Sequence, residues 1–256
     1  MKAKNELYKA KEFKNLREII QNSIEKYSDN NAFIIKNKQG SNKKYTNITY
    51  KQFGLDIDSL GSSLIKRGLK GKRIAVIAPN RYEWMVSYLA TVNGTGIVVP
   101  LDKGLPDKEI ESLLQRSYAD AVIFDKKYND VMRKIEENKS TNVTHFICMD
   151  EDDYFISLNE LIEEGKELLN KGYEEFIKAE INEEEMRIIL FTSGTTSASK
   201  AVMLSHKNIA SNIYALHSAE KIYDTDVNLA FLPLHHTFGS TGLLFFLSGR
   251  SNKCIL

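Results

Sequence analysis

Residues 191–206 read FTSGTTSASKAVMLSH, a loop crowded with hydroxyls and carrying one cation between two apolar runs. The preceding run, residues 186–191, is short, mostly apolar and rich in β-branched side chains, the pattern of a strand buried on both faces. Val202, Met203 and Leu204 are apolar again, so the loop is expected to be held between two core segments. Gly194 lets the backbone bend and approach a ligand, while Thr192, Ser193, Thr195, Thr196, Ser197 and Ser199 add hydroxyl donors to the loop's own N–H groups. Lys200 adds a compact, mobile positive charge. Phosphate oxygens suit that combination, and a nucleoside triphosphate is the first ligand it implies. The loop is not a Walker A sequence, which needs Gly-Lys-Ser/Thr; here Ser199 precedes the lysine and Ala201 follows it. On composition alone, a flexible loop whose hydroxyls cap local backbone is the alternative.

The chain has 256 residues, 42% hydrophobic and 27% charged, enough to bury a sizeable core as one large or two small domains. A net charge of +1 recommends neither nucleic acid nor an anionic membrane as partner. Cys148 and Cys254 stand far apart in apolar contexts, as buried free thiols do in a reducing compartment, which makes the cytoplasm the default. The charged N-terminus lacks the apolar stretch of a signal peptide, and the apolar run at residues 242–247 is too short for a transmembrane segment.

Outward from the loop, strand and helix patterns alternate. Residues 1–14 read as a lysine-rich lead-in. Asn15 and Glu18 predict a helix cap before Leu16, Ile19, Ile20 and Ile24, and Thr49 with Gln52 predicts a second helix carrying Phe53, Ile57, Leu60 and Leu64, stopped by Gly68. Strands are expected at 32–35, 73–78, 96–100, 121–124 and 143–149, with helices at 82–92, 109–116 and 128–138 between them. This alternation implies right-handed βαβ crossovers and a mainly parallel sheet covered by helices, an α/β fold. The acidic stretch at 150–185 contains a helix-forming segment at 158–169 and marks a possible subdomain joint. A helix over 207–222, capped by Ser205, is expected to point its positive end at the turn after the phosphate loop.

A second constellation, LAFLPLHHTFG at 229–239, reads as an apolar strand delivering His235 and His236 to a turn bounded by Pro233 and Gly239. A hydrogen-bonded structural role is the ordinary reading of such a histidine. Metal binding is disfavoured, because adjacent side chains point apart and no Cys, Asp or Glu stands at ligand spacing. The run at 243–247 suits core packing or an apolar tunnel.

Thr-Ser-Gly-Thr-Thr, Lys200 and Val-Met-Leu-Ser-His together closely resemble the phosphate-loop signature of the adenylate-forming superfamily, which includes acyl-CoA synthetases, adenylation domains and beetle luciferases. The family usually has Gly, Pro and Gly where this chain has Ser197, Ser199 and Ala201. Val99-Pro100-Leu101-Asp102 and the histidine turn resemble further motifs of the family in the expected order, so the resemblance covers most of residues 15–256. It implies the N-terminal part of an AMP-binding domain, with its C-terminal part and lid domain absent. It also implies a carboxylic acid, ATP with magnesium, and coenzyme A. Thr192, Ser193, Gly194, Thr195, Thr196 and Lys200 would hold ATP phosphates, and His236 would line the acyl and adenylate pocket. The histidine turn is similar to that of fatty acyl-CoA synthetases, implying a medium or long fatty acid. No catalytic residue or metal ligand is expected within these residues, and the 256 residues alone are expected to be inactive. The competing expectation is a non-catalytic nucleotide- or acyl-binding domain with a degenerate phosphate loop.

Overall fold

A computed structural model describes residues 7–37, 44–192, 199–223, 225–249 and 253–256. The chain runs α1 (Leu16–Tyr27), β1 (Asn31–Lys36), β2 (Tyr45–Thr49), α2 (Tyr50–Lys66), β3 (Arg73–Ile77), α3 (Tyr82–Ala90), β4 (Ile97–Pro100), α4 (Asp107–Ser117), β5 (Ala121–Phe124), α5 (Asn129–Asn138), β6 (His145–Cys148), β7 (Ile156–Ser157), α6 (Leu158–Asn170), β8 (Met186–Thr192), β9 (Lys200–Ser205), α7 (His206–Ala219), β10 (Val227–Leu229), α8 (Thr237–Ser248) and β11 (Lys253–Ile255). The caps read from sequence are in place: Asn15 Oδ1 accepts from the Glu18 N–H, and Thr49 Oγ1 from the Gln52 N–H. Gly68 ends α2 in a left-handed conformation at φ 84°.

Among the described residues, a seven-stranded sheet has the order β7-β6-β5-β3-β4-β8-β9, parallel except where β9 returns beside β8. A smaller sheet has the order β10-β11-β1-β2. The large sheet is buried on both faces because its central strands β3, β4 and β5 are apolar at every position but Arg73, which opens β3. Ile74 and Val76 of β3 face one core with α1, α2, α3, α6 and α7, while Ala75 and Ile77 face another with α4 and α5. The crossover through α3 covers one face and the crossovers through α4 and α5 cover the other, so the connections part company between the ends of β3 and β5.

Arg81, just past β3, bridges that parting. Its guanidinium donates to Asp125 at 2.8 Å, to Asp150 at 2.8 and 3.1 Å, and to Glu83 at 2.7 Å. Partial burial disfavours its charge, but the bonds to Asp150 and Glu83 outweigh this and raise its pKa. Arg17, in α1, also joins separate segments. It donates to the carbonyls of Phe176, Ile177 and Ala179, and to that of Asn93, tying the segment after α6 to the turn after α3.

Three expectations need correction. Val202 and Met203 are not core: β9 is the outer strand of the sheet, and Met203 is 66% exposed. The positive end of α7 does not lie beside a turn following the phosphate loop, because strand β9 follows it and pairs with β8, with Thr192 opposite Lys200 at the loop end and Met186 opposite Ser205 at the far end. Ser205 caps α7 at that far end. The apolar strand before the histidines is also shorter than expected, stopping at Leu229. Leu243, Leu244 and Leu247 lie in α8 and are buried in the core.

His206, which closes the loop signature, is fully buried. Its Nδ1 accepts from the Leu16 N–H at 3.2 Å, capping α1, and its Nε2 meets the Val92 carbonyl at 2.9 Å. Accepting at Nδ1 requires the tautomer protonated at Nε2, so Nε2 donates. Burial pushes its pKa down to about 4. A folded-state pKa below the unfolded value means the unfolded chain binds the extra proton, so stability is lost as pH falls from about 6.5 towards 4, by on the order of 3 kcal/mol. Asp58, raised by burial to about 6, contributes a slope of opposite sign in an overlapping window. The measurement is therefore a difference: urea unfolding of wild type and His206→Gln between pH 7 and 4.5. The wild type is expected to lose more stability than the variant over this range, whereas equal losses would contradict a buried neutral His206.

Candidate active site

The carboxyl ends of β3, β4 and β8 lie side by side, since these strands are neighbours and parallel. In open α/β sheets this edge is where ligands bind. Three of the features read from sequence converge there.

The first is the phosphate-loop hairpin. Thr192 ends β8, exposed, with its hydroxyl 3.4 Å from the Lys200 carbonyl, and Lys200 opens β9, also exposed. Ser193, Gly194, Thr195 and Thr196, along with Ser197, lie outside the described residues. Arg116, in the last turn of α4, reaches both stems of the hairpin: its guanidinium lies 5.4 Å over the Phe191 ring and donates to the Ser199 hydroxyl at 3.0 Å and to the Ser199 carbonyl.

The second is Asp102, just past β4. Its Oδ1 accepts from the Gly104 N–H at 2.8 Å and lies 3.4 Å from Nε2 of His235. His235 is held mostly out of solvent, and burial lowers its pKa, with Asp102 opposing the shift. The imidazole is thus predominantly neutral at pH 7, resting against a carboxylate.

The third is the histidine turn. His236 is exposed at the N-cap of α8 and makes no side-chain capping bond. Its N–H bonds to the Pro233 carbonyl at 3.1 Å and its carbonyl accepts from the Ser240 N–H, so the turn runs directly into the helix. Gly239 fits where a side chain would not: a Cβ there would stand 2.1 Å from the Pro233 carbonyl oxygen. Asn80, three residues beyond β3, donates to the carbonyls of Ala230 and Leu232 at 2.7 Å each and accepts from the Leu234 N–H at 3.2 Å. The histidine turn is thereby laid across the ends of β3 and β4, on the side of the sheet where β8 delivers the phosphate loop.

The family of AMP-binding enzymes matches residues 20–255. The chain belongs to that family. It is 33% identical over 263 residues to long-chain-fatty-acid–CoA ligase 5 of Rattus norvegicus, covering 95% of this chain and 38% of that protein. It is 28% identical over 240 residues to fatty acyl-CoA synthetase A of Dictyostelium discoideum, covering 89% of this chain and 36% of that protein. The chain thus spans well under half the length of these relatives. Among solved structures, the long-chain-fatty-acid-CoA ligase FadD1 of Archaeoglobus fulgidus superposes with a TM-score of 0.80 at 20% identity, over 97% of this chain and 48% of the other. That likeness establishes the fold: an α/β architecture shared with about half of that ligase.

Within this family architecture, sequence reasoning missed Asn80 and Arg116. The position of Asn80 immediately past a buried parallel strand was the only signal available for it. Arg116 sits in an amphipathic helix, where an arginine in the last turn is ordinary. Among the described residues, no group of three or more His, Cys, Asp or Glu is placed to hold a metal ion. No helix among them is long and apolar enough to cross a membrane.

Proposed function

We propose that the protein activates a medium- or long-chain fatty acid with ATP and transfers the acyl group to coenzyme A. The observation that carries this reading is the meeting of the phosphate-loop hairpin and the histidine turn at the carboxyl edge of neighbouring parallel strands. The relatives' names, long-chain-fatty-acid–CoA ligase and fatty acyl-CoA synthetase, support the substrate class.

In the first step a carboxylate oxygen attacks the α-phosphorus of ATP, the bond to the bridging β-phosphate oxygen breaks, and pyrophosphate leaves. In the second a thiolate attacks the acyl carbon of the adenylate, the carbon–oxygen bond breaks, and AMP leaves. Thr192, Ser193, Gly194, Thr195, Thr196 and Lys200 hold the β- and γ-phosphates, where hydroxyl, N–H and ammonium donors meet the charge that grows on the leaving group. His236 borders the acyl pocket, and Asp102 restrains His235 beside it. Magnesium belongs to this scheme as part of the Mg·ATP substrate, bound by phosphate oxygens. The scheme needs a compartment that holds ATP and coenzyme A, and the cytoplasm is the one proposed.

Ser197, Ser199 and Ala201, standing where the family usually has Gly, Pro and Gly, favour a second reading, a binding domain that has lost ATP chemistry. Pyrophosphate release by the native-length protein, with ATP, magnesium and a panel of carboxylic acids, separates the two. Release that depends on a fatty acid is the expected result. No release with any acid, together with no ATP binding by calorimetry, would favour the binding domain.

A further inference from the structure

We infer that Asn80 is a positioning residue for the acyl side of the site, acting through the histidine turn; this rests on the reading of that turn as the wall of the acyl pocket. The Ala230 N–H still bonds to the Ile255 carbonyl of β11 at 3.0 Å, but beyond it the chain leaves the small sheet, and the carbonyls of Ala230 and Leu232 and the N–H of Leu234 need other partners. Asn80 supplies them. Both carbonyls it binds are 2.7 Å away, and its own carbonyl oxygen takes the Leu234 N–H, so one side chain meets the 230–234 segment at three points. The segment leads within one residue to His235 and within two to His236.

The link is directional. Asn80 stands half-buried on the loop after the central strand β3, whereas the turn, anchored by buried Leu234, carries Phe231 and Phe238 exposed. The residue carried by the central strand therefore places the turn that lies over it. The phosphate loop hangs from a different element, the β8–β9 hairpin, with Arg116 at its stems. Loss of Asn80 should therefore disturb acid binding and leave ATP binding nearly intact.

Asn80→Asp is the sharpest variant: it keeps size and the acceptor but loses both donors and sets a carboxylate against two carbonyls. In steady-state pyrophosphate release by the native-length protein, Asn80→Asp is expected to raise KM for the fatty acid about tenfold, with KM for ATP changed less than about twofold. Hydrogen exchange of the amides at 230–239 should quicken in the same variant, with the β3 amides unchanged. Asn80→Ser, which keeps a shorter donor, should fall between it and wild type. Leu64→Ala, a core truncation in α2 away from the turn, supplies the control for general destabilisation and should leave the KM for fatty acid unchanged. An unchanged KM for fatty acid in Asn80→Asp, or a parallel rise in both KM values, would overturn the inference while leaving the ligase reading intact. Absence of acid-dependent release in the wild type would overturn the ligase reading and this inference with it.

Discussion

Replacing Lys200 and Thr196 together by alanine in the native-length protein is expected to lower fatty-acid-dependent pyrophosphate release at least about 100-fold, the loss typical of removing preorganised donors from developing charge. Lys200 is the cation of the loop signature, and its place at the first residue of β9 sets its side chain at the mouth of the hairpin, opposite Thr192. The lysine's exposure implies little structural duty, so Lys200→Ala alone should melt within a few degrees of wild type. Most of the loss should appear in kcat, because stabilisation of the departing pyrophosphate is realised in the transition state. Release within about threefold of wild type would remove the loop from the chemistry, since a positioned donor is worth far more than that.

The second large effect is on folding. Gly165 sits in the middle of α6, where a glycine costs about 1 kcal/mol against alanine in an unconstrained helix. The packing of α6 on α2 explains it. A Cβ at 165 would lie 1.9 Å from the carbonyl oxygen of Ser59, a backbone atom within a buried helix that cannot swing aside. Gly165→Ala is therefore expected to cost about 3 kcal/mol, as overpacking of a tight contact does, and to lower Tm by about 6–12 °C. Gly242→Ala in α8 is the counter-test, because nothing lies within 4 Å of its Cβ position. It should gain about 0.5–1 kcal/mol from helix propensity alone. Thermal or urea unfolding reads both; a Gly165→Ala protein as stable as wild type would mean that α2 and α6 do not approach this closely.

What could be read in the sequence follows from how strongly local pattern is tied to burial. The strands β3 and β5 were legible because every side chain in them except Arg73, the first residue of β3, is apolar, which is what burial on both faces demands. The caps at Asn15, Thr49 and Ser205 were legible because an N-cap is a local hydrogen bond. Val202 and Met203 misled because apolar composition says nothing of whether a strand is central or at an edge. The direction of α7 misled for a related reason: that β9 turns back beside β8 is a pairing fact, and it moves the helix end a whole strand away from the loop.

Chemistry was legible where it is carried by residue type in a cluster. Six hydroxyls, a glycine and a lysine single out a candidate phosphate loop without a structure, and adjacent histidines between proline and glycine draw attention to a turn. Asn80 and Arg116 carry no such pattern. Each acts through a partner more than 80 residues away in sequence, 150 for Asn80 with Ala230 and 83 for Arg116 with Ser199, and only folding brings those partners together.

The most direct test of the ligase reading follows an atom. With a fatty acid labelled with ¹⁸O in its carboxylate, the native-length protein, ATP, magnesium and coenzyme A, mass spectrometry of the products should find one labelled oxygen in AMP and none in pyrophosphate. That outcome requires the carboxylate to have attacked the α-phosphorus and the thiol to have broken the acyl carbon–oxygen bond. Unlabelled AMP formed alongside acyl-CoA would contradict an acyl-adenylate intermediate and, with it, the roles given to the phosphate loop and the histidine turn.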